Sequence, residues 1–517
     1  MGAALRNGLR WAMTVGLVLG AIAGRRVAAE VKLPALFSPH MVVQREMPVP
    51  VWGWADPGEQ VTVTLAGQSE KTQADAQGRW RVRLPAMRAG GPHVLKVQGR
   101  NTVEVPDVLV GEVWLCSGQS NMAMTVGASM NKEAEIAAAN FPEIRMFTVA
   151  RRPAGEPQRD CEGTWAVCSP QTVAGFSATA YFFGRRLHQE LKVPVGLVHS
   201  SWGGTPIQAW TSRKAQQAVP ELVPLVEAYE KAVATYDPAA AQERYQKQLA
   251  AWKAAAAKAK AQGAKFTQRR PQPPLPPQQS PHSPGVLYDG MIAPLVPYAL
   301  RGAIWYQGES NAGNAKLYGL QLRTMIAEWR AAWGQGDFPF LFVQLPNFMA
   351  PQQQPSETGG WPLIREQMLK TLEVPNTGMA VTIDIGEAND IHPKNKQDVG
   401  SRLAQWALAK TYGKPIAASG PLYKAMRRQG NRIVLEFEYA EGLSARGREL
   451  KGFAIAGADR RFVWADARIE GHTVVVSSPQ VAEPVAVRYA WANNPQCTLI
   501  NGAGLPASPF RTDDWPD

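Results

Sequence analysis

Between Val108 and Tyr412 short apolar segments alternate with helix-like segments, and this alternation limits the possible folds more than any other feature. The apolar segments have the length and composition of buried strands; they are VWLCSG, VPVGLVHSS, GAIWYQG, FPFLFVQLP and GMAVTIDIG. Strands that alternate with helices predict a mainly parallel sheet covered by helices on both faces. Ligands of such sheets bind at the carboxyl ends of the strands, so the polar residues that follow these segments are candidate site residues.

The sequence on either side of this central part has a different pattern. In 30–106 and 416–517, short segments with apolar residues at every second position are separated by turns rich in Gly, Pro and Asp. This pattern predicts small antiparallel β domains. We therefore expect an N-terminal β-sandwich domain at 30–106, a central α/β domain at 107–415 and a C-terminal β domain at 416–517.

Residues 212–284 interrupt the central part. They contain two helix-like segments, the second rich in Ala and Lys, and then the proline-rich PQPPLPPQQSPHSP. We expect an inserted helical hairpin with an extended polyproline II return arm. We interpret its lysines as a solvated face, with a partner-binding role as the alternative.

The first 29 residues predict a targeting segment. Arg6 and Arg10 precede a charge-free apolar stretch at 11–24, and the small residues at 27–29 offer a cleavage site. We expect export to the periplasm or the cell exterior, with an uncleaved N-terminal anchor as the alternative. No apolar stretch reaches the roughly 18 residues of a membrane span, so stable membrane insertion is not expected.

The overall charge is mildly positive. Without residues 1–29, Lys and Arg fall from 55 to 51 against 43 acidic residues, which gives a net charge of +8. We expect the basic residues to be scattered, with no basic stripe interleaved with aromatic residues, which argues against a nucleic acid partner. The positive net charge can favour an acidic polysaccharide or an anionic envelope surface as a partner through long-range electrostatic attraction.

The chain has four cysteines and no C-x-x-C pair, so neither a disulfide scaffold nor a metal site is expected. In an oxidising compartment Cys161 and Cys168 can close a short loop, and two free thiols are an equal alternative. Cys116 lies within the apolar VWLC and is expected in the core.

Two of the polar clusters supply a serine and a pair of glycines. Ser120 in SGQSNM is predicted at a strand-to-helix turn, where helix N–H groups can stabilise an anion. Met122 stands where the nucleophile motif of α/β-hydrolases has glycine, so that motif is absent. Gly203 and Gly204 in SSWGGTPI allow a main-chain N–H to face a ligand. Each cluster alone is also typical of an ordinary helix cap or turn.

The other two clusters supply amides and a histidine. WYQGESNAG places Gln307 and Asn311 where a side-chain N–H can complete an oxyanion hole. In DIGEANDIHPKNK, Asp390 is expected to orient Nδ1 of His392 while Nε2 faces the serine, and Asp384 is the rival acid.

Taken in this order, the four clusters resemble those of the SGNH (GDSL-like) hydrolases, and within them the sialate O-acetylesterase-like carbohydrate esterases. The resemblance extends from LFSPHMVVQREMPVPVWGWA to LINGAGLPASPFRTDDW, nearly the whole exported chain. It implies a flavodoxin-like SGNH hydrolase core with small β domains at both ends. It also implies hydrolysis of O-acetyl esters on sugars without a cofactor or a metal.

The resemblance also implies residue roles. Ser120 is expected as the nucleophile, His392 as the base and Asp390 as its partner. The expected oxyanion donors are the main-chain N–H of Ser120, that of Gly203 or Gly204, and the amide of Gln307 or Asn311. This chain departs from the usual pattern in having GESN in the third block, and LYDGM with Asp289 where relatives read LYNGM.

Two other functions stay open at this point. An esterase for acetylated xylan or xyloglucan would use the same triad and differ in its cleft contacts. A non-catalytic carbohydrate-binding protein is a further alternative, against which the intact Ser120, Asp390 and His392 argue.

Overall fold

The N-terminal region consists of short strands whose side chains alternate between the core and the surface. The computed structural model describes residues 30–516, and the expected targeting segment at 1–29 lies outside this range. The strands are β1 (Val42–Gln44), β2 (Val49–Trp54), β3 (Gln60–Leu65), β4 (Gln68–Gln73), β5 (Arg79–Leu84) and β6 (Gly90–Gln98). β2 pairs with β5, and β3 pairs with β4 and β6, all antiparallel, as the period-two pattern predicts.

Strand β7 (Thr102–Gly118) connects this region to the centre of the molecule. Its first half pairs antiparallel with β6, and its second half is completely buried. The expected boundary between 106 and 107 falls inside this strand, because the apolar VLVGEVWLC continues the extended backbone. β1 pairs with β7 in parallel, so the N-terminal sheet is not wholly antiparallel.

The second half of β7 lies within a large mixed sheet. The other central strands are β8 (Phe141–Thr148), β9 (Trp165–Cys168), β10 (Val195–Ser201), β11 (Gly302–Tyr306), β12 (Phe340–Val343) and β13 (Thr377–Ala380). The order is β9-β8-β10-β7-β11-β12-β13, parallel throughout except for β9. The direction of the chain across the sheet reverses at β7, which places a crevice for ligands where β7 ends between β10 and β11.

Helices cover the sheet, whose central strands are buried along their whole length. α3 and α9 pack against one another, as do α7 and α8. The helices are α1 (Ser120–Ala123), α2 (Lys132–Ala137), α3 (Ala178–Leu191), α4 (Arg213–Gln217), α5 (Val223–Ala234), α6 (Pro238–Ala261), α7 (Ala315–Trp333), α8 (Gly360–Lys370) and α9 (Lys396–Trp406). None of the helices in 30–516 is both long and apolar enough to cross a membrane.

The interruption at 212–284 contains α4, α5 and α6. Asp237 caps α6 by accepting from the N–H groups of Ala239 (2.8 Å) and Ala240 (3.2 Å), and Pro238 occupies the first turn. Beyond α6 the chain returns without regular secondary structure as far as Pro276. The two predicted helical segments are therefore present as α5 and α6, with α4 as an additional short helix, and their hairpin arrangement and the polyproline II arm stay predictions.

The C-terminal region has its own hydrophobic core between antiparallel sheets. Its strands are β14 (Leu422–Gln429), β15 (Arg432–Glu438), β16 (Ser444–Ala445), β17 (Phe453–Ala456), β18 (Val463–Trp464), β19 (Asp466–Glu470), β20 (Thr473–Ser477), β21 (Ala486–Tyr489), β22 (Leu499–Ile500) and β23 (Phe510–Arg511). The fully buried Arg365 of α8 joins this region to the centre, since it donates to the carbonyl oxygens of Leu345, Pro346, Ala492 and Asn493.

All four cysteines have free thiols. Of the two alternatives for Cys161 and Cys168, the structure has the unpaired one. Both side chains are buried, and burial raises the pKa of each thiol to about 12. Cys116 is fully buried in β7, as expected for a core residue.

Candidate active site

Ser120 lies two residues beyond the end of β7, at the first position of α1. Gly118 permits this turn: its φ is +141°, and a Cβ atom there would lie 2.1 Å from the carbonyl oxygen of Tyr306 on β11. The N–H of Gln119 donates to the same oxygen at 2.9 Å. The chain therefore leaves the sheet abruptly and places Ser120, partly exposed, at the carboxyl edge.

The structure brings His392 to Ser120 although 272 positions separate them. Nε2 of His392 lies 2.9 Å from Oγ of Ser120. Oδ1 of Asp390 lies 3.4 Å from Nδ1 of His392 and accepts from its main-chain N–H at 2.9 Å. The 3.4 Å separation is longer than an ordinary hydrogen bond, as is common in unliganded sites. Ser120, His392 and Asp390 thus form a contiguous chain open to solvent.

Asp384, the rival acid, has other partners. Its two carboxylate oxygens accept from Arg402 at 2.6 and 2.9 Å, and Oδ2 also accepts from Arg446 at 2.6 Å. Burial would raise the pKa of Asp384, but the hydrogen bonds and charges of the two arginines outweigh it and hold the pKa below its usual value. The carboxylate is therefore committed to a structural ion-pair cluster.

The glycine pair lies beside the serine. A Cβ atom on Gly203 would lie 3.2 Å from Cβ of Ser120, and Gly204 has φ of +77°. The loop is tied to the serine strand because the N–H of Trp202 donates to the carbonyl of Gly118 at 3.1 Å. Within residues 30–516, the main-chain N–H groups of Ser120, Gly203 and Gly204 have no protein acceptor. The N–H of Ser120 and those of the adjacent glycine pair are thus available as donors, and the choice between Gly203 and Gly204 stays a prediction.

Gln307 and Asn311 belong to a buried amide network. Nε2 of Gln307 donates to Oδ1 of Asn311 (2.7 Å) and to the carbonyl of Thr205 (3.2 Å). Oδ1 of Asn311 also accepts from the N–H of Ile207 at 3.0 Å, while its Nδ2 donates to Gln208 and Gln321. The network fixes the glycine loop against the end of β11. Since both amides donate to protein groups here, the choice between them as an oxyanion donor stays a prediction.

Three residues near the site were given no role from the sequence: Asn121, Glu309 and Lys396. Nζ of Lys396 donates to Oδ1 of Asn121 at 2.8 Å, and Nδ2 of Asn121 donates to Oε1 of Glu309 at 2.5 Å. Burial lowers the pKa of Lys396 to about 7, against the opposing charge of Glu309, and burial raises the pKa of Glu309. The sequence feature that could have indicated them is their position within the motifs GQSN, GESN and HPKNK, which also contain the predicted site residues.

Two other conspicuous residues are structural. Asp289 is buried and pairs with Arg213 of α4 at 2.7 Å, so it attaches the insertion to the centre. His199 is buried in β10, where burial lowers its pKa to about 4, and its Nε2 contacts Oγ of Ser201 at 2.6 Å. In the described part of the chain, no three His, Cys, Asp or Glu side chains are grouped closely enough to hold a metal ion.

Comparisons with known proteins converge on one family. The model of a family described as carbohydrate esterase, sialic acid-specific acetylesterase, matches residues 110–263 and 280–409. Sialate O-acetylesterase from Rattus norvegicus is 32% identical over 91% of this chain and 92% of the relative, and that from Homo sapiens is 31% identical over 96% of both. The crystal structure of a carbohydrate acetylesterase from Xanthomonas citri is 39% identical with a TM-score of 0.79, covering 94% of this chain and 100% of that one.

Proposed function

The chain belongs to the sialic acid-specific acetylesterase family of carbohydrate esterases and is a carboxylic ester hydrolase, and we propose that it removes O-acetyl groups from sugars through an acyl-enzyme on Ser120. The observation that supports this mechanism is the 2.9 Å contact between Nε2 of His392 and Oγ of Ser120. A base at hydrogen-bond distance from a hydroxyl is the arrangement that activates a serine nucleophile.

In the first half-reaction, Nε2 of His392 takes the Ser120 proton while Oγ attacks the acetyl carbonyl carbon. The N–H groups of Ser120 and Gly203 donate to the resulting oxyanion, a contribution that is typically worth about a hundredfold or more in rate per donor. The carbon–oxygen bond to the sugar then breaks, and the imidazolium returns its proton to the sugar oxygen. Asp390 stabilises the imidazolium in between.

In the second half-reaction, water replaces the sugar. His392 takes a proton from the water, whose oxygen attacks the acyl carbon through a second oxyanion in the same pocket. The bond to Oγ breaks, acetate leaves, and the proton returns to Ser120. The partly exposed triad gives water direct access for this step.

The test is acetate release by the wild type and Ser120→Ala on 4-nitrophenyl acetate, O-acetylated sialic acid, acetylated xylan and acetylated xyloglucan. We expect release by the wild type and a loss of at least about a thousandfold in the variant. The glycan that is hydrolysed fastest assigns the substrate class. A folded wild type that binds a glycan but releases acetate from none of these esters would contradict the proposal and favour a carbohydrate-binding protein.

We propose further that the central part is an SGNH hydrolase core. Apart from β8 and β9, which extend the sheet beyond β10, the strands β7, β10, β11, β12 and β13, numbered along the chain, have the spatial order 2-1-3-4-5 of flavodoxin-like sheets. On the proposed division into 30–106, 107–415 and 416–517, whose first boundary lies within β7, the two flanking regions are β domains. Cleavage after residue 29 and export complete the proposal; N-terminal sequencing of the secreted protein tests both.

A further inference from the structure

We propose that Asn121, Glu309 and Lys396 form a positioning cluster that holds His392 against Ser120. This inference rests on the proposed esterase mechanism and adds residues that do not touch the substrate. Asn121 follows Ser120, Glu309 begins the short 3-10 helix Glu309–Asn314 after β11, and Lys396 is the first residue of α9. The cluster therefore joins the three chain segments that meet at the site.

Both residues that flank His392 are bound by this cluster. Nδ2 of Asn121 donates to the carbonyl of Ile391 at 3.0 Å, and Nζ of Lys396 donates to the carbonyl of Pro393 at 2.5 Å. Because Asn121 is adjacent to Ser120, the main chain on either side of the base is tethered to the main chain of the nucleophile. The Ser120–His392 distance depends on these two contacts.

The hydrogen-bond donors and acceptors around Asn121 permit only one orientation of its side-chain amide. Its oxygen faces the ammonium of Lys396, and its NH2 faces the carboxylate of Glu309 and the Ile391 carbonyl. A flipped amide would place like polar groups together at both ends. Asn121 and Lys396 are fully buried, and the Lys396 ammonium also lies 5.5 Å from the Tyr306 ring centroid. In a buried setting such a network fixes geometry strongly.

Lys396→Met tests the proposal, with Lys410→Met as the matched control. Lys410 follows α9 and also lies over a tyrosine ring, that of Tyr439, at 5.6 Å, but it is exposed and makes none of the contacts of the cluster. With 4-nitrophenyl acetate, Lys396→Met should lower kcat about a hundredfold at nearly constant KM, as expected for misplaced reacting groups. The rate of Ser120 labelling by a fluorophosphonate should fall in the same proportion, while the control stays within about twofold of the wild type.

A structural role alone would lower the melting temperature and leave kcat per folded molecule unchanged. A folded Lys396→Met protein with wild-type kcat and labelling rate overturns the proposal. If that variant does not fold, Asn121→Ser takes its place with the same criteria. An inactive wild type whose Ser120 is not labelled overturns the esterase mechanism instead, so the two failures are distinguishable.

A second inference concerns charge. The expectation that the basic residues are scattered is wrong. Residues 243–270 contain a cluster of eight Lys and Arg with one Glu. The rest of the chain beyond residue 29 has 43 Lys and Arg against 42 acidic residues and is almost neutral. Nearly all of the net charge of the exported chain therefore belongs to α6 and the start of its return arm, here called the basic hairpin.

The basic hairpin exposes its charges. Of the 24 residues of α6, Ala241 and Leu249 are buried. Nε1 of Trp252 donates to the carbonyl of Gln268 at 2.9 Å, and its ring packs on Phe266, so the arm folds back along the helix. Among the described residues, Lys247 has a carboxylate partner, Glu243, and the other seven cations of the hairpin have none. These uncompensated charges create a positive potential around the basic hairpin.

We infer that the basic hairpin binds an acidic polysaccharide. An anionic membrane is less suitable, because membrane-surface helices insert large apolar side chains, and none of those exposed in 30–516 lies within 243–270. Single-stranded nucleic acid requires free aromatic faces, whereas Trp252 and Phe266 pack on one another. A polyanionic glycan needs the cations alone, and it also fits an enzyme that acts on sugars.

Binding to immobilised polygalacturonate tests this inference, with unsubstituted xylan as the neutral polymer. The hairpin variant replaces six residues by Gln: Lys253, Lys258, Lys260, Lys265, Arg269 and Arg270. The matched control replaces six exposed residues elsewhere by Gln: Lys71, Arg83, Arg88, Lys214, Lys424 and Arg461. Hydrolysis of 4-nitrophenyl acetate should be unchanged in both, which separates binding from the catalytic proposal.

We expect the wild type to bind polygalacturonate and not xylan, and high salt to weaken binding because it screens exposed charges. The hairpin variant should bind at least about tenfold more weakly, and the control within about twofold of the wild type. Equal weakening in both variants shows a general charge effect and overturns the inference. Binding to phosphatidylglycerol vesicles without binding to polygalacturonate assigns the surface to a membrane and also overturns it.

Discussion

Replacing Asp384 by Asn should destabilise the protein without impairing the reaction. The carboxylate makes two hydrogen bonds with Arg402, whose side chain is 11% exposed, and one with the half-exposed Arg446. Breaking a buried ion pair leaves an uncompensated charge and costs about 3–5 kcal/mol, whereas an exposed pair contributes at most about 1 kcal/mol. Because Asn keeps one acceptor oxygen for Arg402, we expect the lower limit, about 3 kcal/mol.

This loss is measurable by calorimetry. For large domains about 1 kcal/mol corresponds to about 2–4 °C, so the melting temperature should fall by about 6 °C or more. Since the folded-state pKa of Asp384 is depressed, its stabilisation is present above the pKa of the unfolded chain, about 3.9, and disappears as pH falls through the lower folded-state pKa. The difference between wild type and variant should therefore be full at pH 7 and shrink below about pH 4.

Asp390→Asn is the matched comparison. Its side chain is 42% exposed, so the melting temperature should change by less than about 1 °C, while kcat on 4-nitrophenyl acetate falls about a hundredfold. Asp384→Asn should keep kcat within about twofold of the wild type. The opposite pattern, a stable Asp384→Asn protein with lost activity, would refute the assignment of the two carboxylates.

Two further substitutions test the oxyanion side of the site. Gly203→Ala places a methyl group 3.2 Å from Cβ of Ser120 and should lower kcat at least about tenfold at an unchanged melting temperature, measured with 4-nitrophenyl acetate and calorimetry. Asn311→Ala leaves the buried Nε2 of Gln307 and the N–H of Ile207 without this acceptor. It should cost about 2 kcal/mol or more in urea unfolding; unchanged stability would contradict the network.

The sequence predicted those parts of the molecule that depend on local pattern. Continuous apolar segments gave the central strands, and the turns that follow them gave Ser120 and the glycine loop. The boundary near 106 was harder to predict, because β7 pairs with β6 in its first half and with β10 in its second half. Nothing in the sequence of such a continuous strand indicates where its pairing partner changes. Pairing between sheets is decided by packing rather than by local propensity.

The choice between Asp384 and Asp390 depends on contacts distant in sequence. Both aspartates lie in the same loop as His392. They differ because Arg402 and Arg446 form ion pairs with the carboxylate of Asp384. The positioning cluster is similar, since Asn121 and Lys396 are 275 positions apart. Motif spacing indicated residue types that suit the chemistry, and the fold determined which of them meet.

Inactivation of the wild type by a fluorophosphonate, followed by peptide mass spectrometry, tests most directly whether Ser120 is the nucleophile that forms the acyl-enzyme. We predict a single modified peptide that contains Ser120, with labelling in proportion to lost esterase activity and no labelling in Ser120→Ala. Loss of activity with the label on another residue, or none on Ser120, would contradict the mechanism.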